Sequence, residues 1–448
     1  MNKIKFVLYM LLAISVLING TAIVHAMTAG ESVSVRIDEF CEKTKCGSVS
    51  VVVVNGDETE FYGDPDGLYQ IGSMTKAFTG LAVRKLISEG LLSEDDKLSE
   101  LLPGFTAYYD GEACDITIGQ LLSQTSGYTN NETVYPGAEE DMTLAEWADT
   151  ISGRELTSVP GAEYAYSNVN YNLLGAVIEL VSGKSYAEYM ETEILAPLGL
   201  YDTYVQVPAD TVNIIRGSRL GYRHGFEYEI PVVTGRIPAG YFYSDASDMA
   251  RWIRIWTGTA DIPEEYKSLV SSVKEMLGST GDYDYGWEVF ENGTIGHSGG
   301  TPNYSSRIVF SEREQTGVCV LANMNIAAST DSLCNGIYAA YAGGTDSGLK
   351  TDVWTVFDLI FTALTVIGMV PVIMAALTKR RISLIVTGSF LIILMISICV
   401  TMPIVFGARL RDIMFVWAPY SFTGGLLALA AGILAIGIKL WKIRKNGN

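Results

Sequence analysis

The chain has 448 residues, 48% of them hydrophobic, and a formal net charge of −19. That length exceeds a usual soluble domain and allows two parts. The nine Lys/Arg and three Asp from Thr351 onward leave the first 350 residues at −25, which sets nucleic acid aside as a partner.

Residues 1–26 read as a secretory signal. Lys3 and Lys5 precede an apolar run from Phe6 to Leu17, and "VHA" ending at Ala26 has the small residues of a cleavage site. An uncleaved anchor would export the body equally. Six cysteines are few for this length. Cys41 and Cys46 are close enough to pair once exported. Cys114, Cys319 and Cys334 have no evident partners, and Cys399 lies in an apolar segment. No CxxC pair occurs, and beyond the signal only His224 and His297 remain. No metal site of Cys and His is expected.

The body is expected over residues 27–341. It opens with a strand, "SVSVVVV" (Ser48–Val54). Next comes "SMTKAFTGLAVRKLISEG", where Met74, Ala77, Phe78, Leu81 and Ala82 recur at helical spacing. The helix begins near Ser73, and Lys76 lies one turn on, on the same face. The helix dipole favours an alkoxide on Ser73, and a Lys76 of lowered pKa is able to take the hydroxyl proton. Ser73 as a plain helix cap is the simpler alternative. Average usage gives roughly two chance Ser-x-x-Lys matches in such a chain, and Ser271–Lys274 is one with no supporting context.

"YAYSNVNYNLLG" (Tyr164–Gly175) follows, with Tyr166 and Asn168 two apart just before an apolar helical run. In an extended or turn segment they project to one side. A phenol beside an ammonium ionises more easily and serves as general base. Asn168 is placed to bond Lys76 and a substrate carbonyl, unless it or Ser167 only caps the helix. "IGHSGGTPNY" (Ile295–Tyr304) is a glycine-rich entry to a final strand pair, "SSRIVFSEREQTGVCVLANMN". His297 is expected near the tyrosine oxygen, and a glycine N–H with that of Ser73 makes an oxyanion hole. Strands at both ends with helices between them predict an α+β domain whose terminal strands share one sheet.

The Gly-rich stretch "AGGTDSGLKTD" (Ala342–Asp352) is the expected linker. Three apolar runs fill residues 353–441, at Val353–Leu377, Ile382–Phe406 and Ile413–Leu440, each longer than the ~20 residues that cross a bilayer. The basic flanks "TKRR" and "KLWKIRKNGN" prefer the cytoplasm. With an exported body, three spans put both flanks inside, so residues 442–448 form a cytoplasmic tail. Asp358 is expected as a helix-end residue near the outer face.

Together, Ser73–Lys76, Tyr166–Asn168 and His297–Gly299 stand in the order Ser-x-x-Lys, Tyr-x-Asn, His-x-Gly. The chain resembles the serine β-lactamase and penicillin-binding-protein-like hydrolases, closest to their class C-type branch. "LISEGLLSEDDKLSELLPGF", "ITIGQLLSQTSGYT", "ILAPLGLYDT" and "PAGYFYSDASDMARW" extend the likeness over about Ser32–Tyr341. The resemblance implies an antiparallel sheet flanked by helices plus an all-α subdomain, here followed by three transmembrane helices. It implies Ser73 as nucleophile, with Lys76 and Tyr166 sharing proton transfer. Asn168, His297, Ser298, Gly299 and Gly300 would bind substrate and oxyanion. No metal or organic cofactor is implied.

Where relatives carry lysine, this chain has His297, mostly neutral near pH ~7. That favours peptidase or esterase chemistry over penicillin hydrolysis. Asn303 stands where many relatives have glycine. The layout of signal, body and three spans is similar to membrane peptidases that remove an N-acyl-D-amino-acid group. The expected partners are a small-molecule or cell-wall peptide or ester substrate, and membrane lipid around the tail. The alternatives are a D,D-carboxypeptidase or penicillin-binding protein, a D-alanyl esterase, a class C β-lactamase, and a non-catalytic wall-binding or acyl-sensing scaffold.

Overall fold

The computed structural model describes residues 29–129, 141–278, 281–345 and 348–445. The expected signal at 1–26 and the last three residues of the chain lie outside them. The strands that frame the site are β1 (Val49–Asn55), β2 (Glu58–Tyr62), β3 (Ser218–Gly221), β4 (His224–Glu227), β5 (Tyr283–Asp284), β6 (Trp287–Val289), β7 (Ile295–Thr301), β8 (Tyr304–Ser311) and β9 (Thr316–Ala322). Seven of them form one antiparallel sheet in the order β5-β6-β7-β8-β9-β1-β2. The first strand thus pairs with the last, from Val49 opposite Ala322 to Asn55 opposite Thr316.

Alternation along these strands divides the core. Val51, Val53, Val318 and Val320 point to one face, against Val33 and Phe40 of α1 (Ala29–Thr44) and Leu333 and Ile337 of α5 (Ala327–Tyr341). Val52, Val54, Cys319 and Leu321 point to the other, where they join Trp252 and Trp256 of α4 (Ala246–Thr257). Both faces are covered, which is why these strands read as continuous apolar runs. On the second face lies the helical subdomain, built around α2 (Thr75–Ser88) and α3 (Asn168–Ser182). Phe78 of α2 stacks on Trp252 with ring centroids 4.1 Å apart. Ser167 caps α3 by accepting from Val169 N at 3.3 Å, and Gly183 ends it at φ 68. The architecture is α+β, an antiparallel sheet with helices, followed by three long apolar helices.

One open possibility is not realised and one expectation changes. Cys41 and Cys46 are unpaired thiols. The Cys46 thiol is buried and bonds Ser48 O at 3.2 Å and Asn323 Oδ1 at 3.3 Å. Burial pushes it up to about 12, so it stays protonated at neutral pH. The third apolar helix starts at Tyr420 and runs to Lys445, seven residues beyond the expected Ile413. Ile413–Trp417 is a separate π-helical turn, and Ala418 is extended at φ −74, ψ 153 ahead of Pro419. The other two helices long and apolar enough to span a bilayer are Val353–Leu377 and Arg381–Phe406. Lys350 and Asp352 are stitched to α5. Ser329 Oγ donates to Lys350 O at 2.9 Å, and Asp352 Oδ2 accepts from Ala328 N at 3.0 Å.

Candidate active site

Gly72–Met74 forms a 3₁₀ turn that leads into α2 and places Ser73 at its mouth, half-buried. Gly72 has φ +52, and a Cβ there would lie 2.4 Å from Gly300 N. A Cβ on Gly299 would lie 2.1 Å from Ile71 O and from Ser306 Oγ. These two glycines let β7 touch the Ser73 turn backbone to backbone. The turn is pinned by Ser306 Oγ donating to Ile71 O at 2.7 Å, and by Thr75 Oγ1 donating to Gly72 O at 2.7 Å.

Lys76 is fully buried. Its Nζ stands 3.0 Å from Ser73 Oγ, 2.7 Å from Asn168 Oδ1 and 2.5 Å from Ala239 O. It lies 5.0 Å from the Tyr166 ring centroid and 5.8 Å from that of Tyr171. Among the described residues no carboxylate forms an ion pair with it. Burial alone therefore acts on its charge and drives its pKa well below the usual lysine value. A neutral amine has two N–H donors and one lone pair. Here Nζ donates to Ser73 Oγ, Asn168 Oδ1 and Ala239 O; on losing a proton it would keep two donors for the Asn168 and Ala239 oxygens and turn a lone pair to Ser73.

The Tyr166 hydroxyl oxygen is enclosed and has no hydrogen bond of full geometry among the described residues. Burial pushes its pKa well up, against a smaller downward pull from the Ser73 hydroxyl. At neutral pH it is a phenol, able to donate. His297 is 2% exposed and lies with its ring 6.1 Å from that of Tyr166. Its partner is Tyr283 rather than Tyr166, at 3.1 Å from Nε2. Nδ1 lies 2.6 Å from Ser298 O, which accepts only if Nδ1 carries the proton. Burial, helped by the Lys76 charge, lowers the histidine to about 3. Both ring nitrogens are engaged and the ring is neutral.

Ser298 departs from its expected place. Alternation turns its side chain to the opposite face of the sheet, where Oγ donates to Asp331 Oδ1 at 2.9 Å and accepts from Arg307 Nη1 at 2.8 Å. Only its backbone borders the site. Gly299 is buried against the turn, and Gly300 is exposed beside it. Ser271, of the second Ser-x-x-Lys match, is exposed on a helix, and Lys274 pairs with Glu312 at 2.8 Å.

Several residues of the site escaped the motif reading. Ala239 contributes a carbonyl, which no side chain advertises. Gln124, fully buried at φ 60, accepts from Ser167 N at 2.9 Å and Asn170 Nδ2 at 2.6 Å. It thereby fixes the Tyr166–Asn168 segment. Tyr171 and Tyr283 complete the aromatic wall. The phrases "LLSQTSG" and "PAGYFYS" held Gln124 and Ala239, but their likeness did not say what they touch.

The Beta-lactamase family model matches residues 34–341, nearly the whole body. The chain belongs to the β-lactamase family. That family is one of β-lactamase and penicillin-binding-protein-like serine hydrolases. Protein flp of Staphylococcus aureus is 35% identical over 277 residues, 58% of this chain and 54% of that protein. Penicillin-binding protein 4* of Bacillus subtilis is 28% identical over 278 residues, 54% of this chain and 58% of that protein. The chain spans a little over half the length of these curated relatives. In fold it is similar to the octameric penicillin-binding protein homologue from Pyrococcus abyssi, with a TM-score of 0.62 at 24% identity over 75% of this chain and 81% of that one. A class C β-lactamase matches with a TM-score of 0.58 at 17% identity, over 71% and 97% of the two chains.

Proposed function

We propose that this chain is a membrane-anchored, extracytoplasmic serine hydrolase that forms an acyl-enzyme on Ser73. The observation that supports it most is the grip on Lys76: its buried Nζ stands 3.0 Å from Ser73 Oγ while Asn168 Oδ1 and Ala239 O accept from it, so that the neutral form burial favours would turn its lone pair to the Ser73 hydroxyl. Lys76 takes the Ser73 proton as Oγ bonds to the substrate carbonyl carbon. The oxyanion is met by the N–H groups of Ser73 and Gly300. The amine or alkoxide leaving group then departs with a proton supplied from Lys76 by way of the Tyr166 hydroxyl. Water attacks the ester by the reverse relay and frees Ser73.

The substrate is an amide or ester, in our reading next to a D-amino acid. A neutral His297 with both nitrogens engaged offers no fixed charge for a free substrate carboxylate. That supports a peptidase or esterase over a β-lactamase or D,D-carboxypeptidase. The tail supports the orientation. The start of the first span and the Ile413–Tyr420 stretch both meet the body. The basic "TKRR" and the basic end of the third span lie at the far ends of the helices.

The test is intact-mass labelling of the full chain by a fluorophosphonate and by a fluorescent penicillin. Phosphonylation of Ser73 with no stable penicillin adduct is expected. A lasting penicillin adduct would favour a penicillin-binding protein, and rapid penicillin turnover a β-lactamase. Absence of any Ser73 adduct would sink the hydrolase reading in favour of a binding scaffold.

A further inference from the structure

One hairpin of the body meets the tail. β3 and β4 pair across Tyr222 and Arg223, both left-handed at φ 50 and 62. Arg219 of β3 is 4% exposed. Its guanidinium donates to Ala418 O at 2.6 Å, Phe415 O at 2.8 Å and Met414 O at 2.7 Å. These carbonyls lie at the end of the π-helical turn before the third span, where a cation is favoured. The same guanidinium lies over the rings of Tyr420 and Tyr228, at 4.6 and 5.2 Å. At the hairpin tip Arg223 N donates to Asp358 Oδ2 at 2.8 Å, and Asp358 Oδ1 accepts from Ser421 Oγ at 2.7 Å. Asp358 is fully buried, so it serves as a dock rather than a helix-end residue.

The other side of this hairpin reaches the site. Ser218 N donates to Asn303 O at 3.1 Å, and Asn303 Nδ2 donates to Tyr228 O at 2.8 Å. Tyr228 OH donates to Phe415 O at 2.8 Å, and Thr301 Oγ1 donates to Asn303 Oδ1 at 3.1 Å. A continuous chain of bonds therefore runs from the loop between the second and third spans to Thr301, the residue after Gly300. The end of β7 needs such support. Among the described residues its neighbour β6 pairs only with Ile295 and Gly296, so within the sheet Gly299–Thr301 are held by β8.

We propose that the membrane tail is part of the catalytic apparatus: Arg219 and Asp358 are positioning residues that hold the β7 end, and with it Gly300, against the Ser73 turn. This rests on the reading of Ser73 as nucleophile and Gly300 as an oxyanion donor. Asn303 is then the connector between tail and site.

The test uses the full chain in nanodiscs, with Arg219→Met, Asp358→Ala and Asp358→Asn. Asparagine can accept from Arg223 N and donate to Ser421 Oγ, so it preserves the dock. Amide exchange over residues 299–304 should rise about tenfold in the first two variants and stay at the wild-type rate in the third, with β1 and β9 unchanged. The maximal rate of Ser73 phosphonylation should fall about tenfold, with the half-saturating probe concentration within about twofold. Unchanged exchange at 299–304 in both Arg219→Met and Asp358→Ala would overturn the coupling. Faster exchange with an unchanged labelling rate would overturn its catalytic role. Failure of the wild type to label would count against the hydrolase reading, and the exchange comparison would still decide the coupling.

Discussion

Two lysines on α2 are opposite in kind. Lys76 in the first turn and Lys85 in the last are both buried, at 0% and 6% exposure. Lys85 meets Glu89, Glu193 and Glu265. Burial pulls its pKa down, but Glu89, Tyr266 and Glu265 together outweigh burial and the net shift is upward. Lys76 meets a serine hydroxyl, an amide oxygen and a backbone carbonyl, and its pKa falls. Burial by itself does not make a lysine a base. What decides is whether the burying groups are charged acceptors or neutral ones.

Lys76→Met should therefore lower the rate of Ser73 phosphonylation about a thousandfold. Lys85→Met should leave it within about twofold and lower the apparent Tm by only a degree or so, since its partners are part-exposed. Equal losses in both variants would erase the distinction. The turn ahead of Lys76 is next in size. Gly72→Ala puts a methyl 2.4 Å from Gly300 N at a left-handed φ, and displacing that contact by about 1 Å should cost about a hundredfold in labelling. Asn168→Asp turns Lys76 into a lysine of the Lys85 kind. A carboxylate at the Asn168 position should raise its pKa. The acid limb of the labelling rate should move to higher pH, with a loss of about tenfold or more at pH 7. An unmoved limb would mean that Lys76 is not the group that titrates.

The sequence exposed what depends on residue type and order. The strand pattern of Val49–Asn55 and Thr316–Ala322, the start of α2 and the Ser73–Lys76 spacing were all legible. Three features were not. The Ala239 carbonyl is backbone, and its place follows from how residues 237–240 pack on α2 and α3. The inward or outward turn of Ser298 depends on the register of β7 against β8, and one residue changes the face. The docking of β3 and β4 on the tail depends on a cation meeting carbonyls nearly two hundred residues away, and carbonyls carry no sequence signal. Pro419 was visible, but a long apolar run hid the break it makes.

His297 gives the sharpest link between burial and stability. Its folded pKa is about 3, against an unfolded value near 6.5. Above about pH 6.5 both states are neutral there and the histidine contributes nothing. Between about 6.5 and 3 the unfolded chain takes a proton that the folded chain refuses, so stability falls as pH falls. Asp245 and Asp248 act in the opposite sense. Burial raises them to about 7 and about 6, so the folded state keeps protons that the unfolded state releases, and stability rises as pH falls from 7 toward 4. In wild type the two slopes oppose one another. His297→Gln removes the first and leaves the second. The variant should gain on wild type by roughly 2 kcal/mol between pH 7 and 5, a few degrees in apparent Tm. A constant difference in Tm across that interval would mean that His297 takes its proton in the fold as readily as in water, and that the Tyr283 and Ser298 bonds do not hold it neutral.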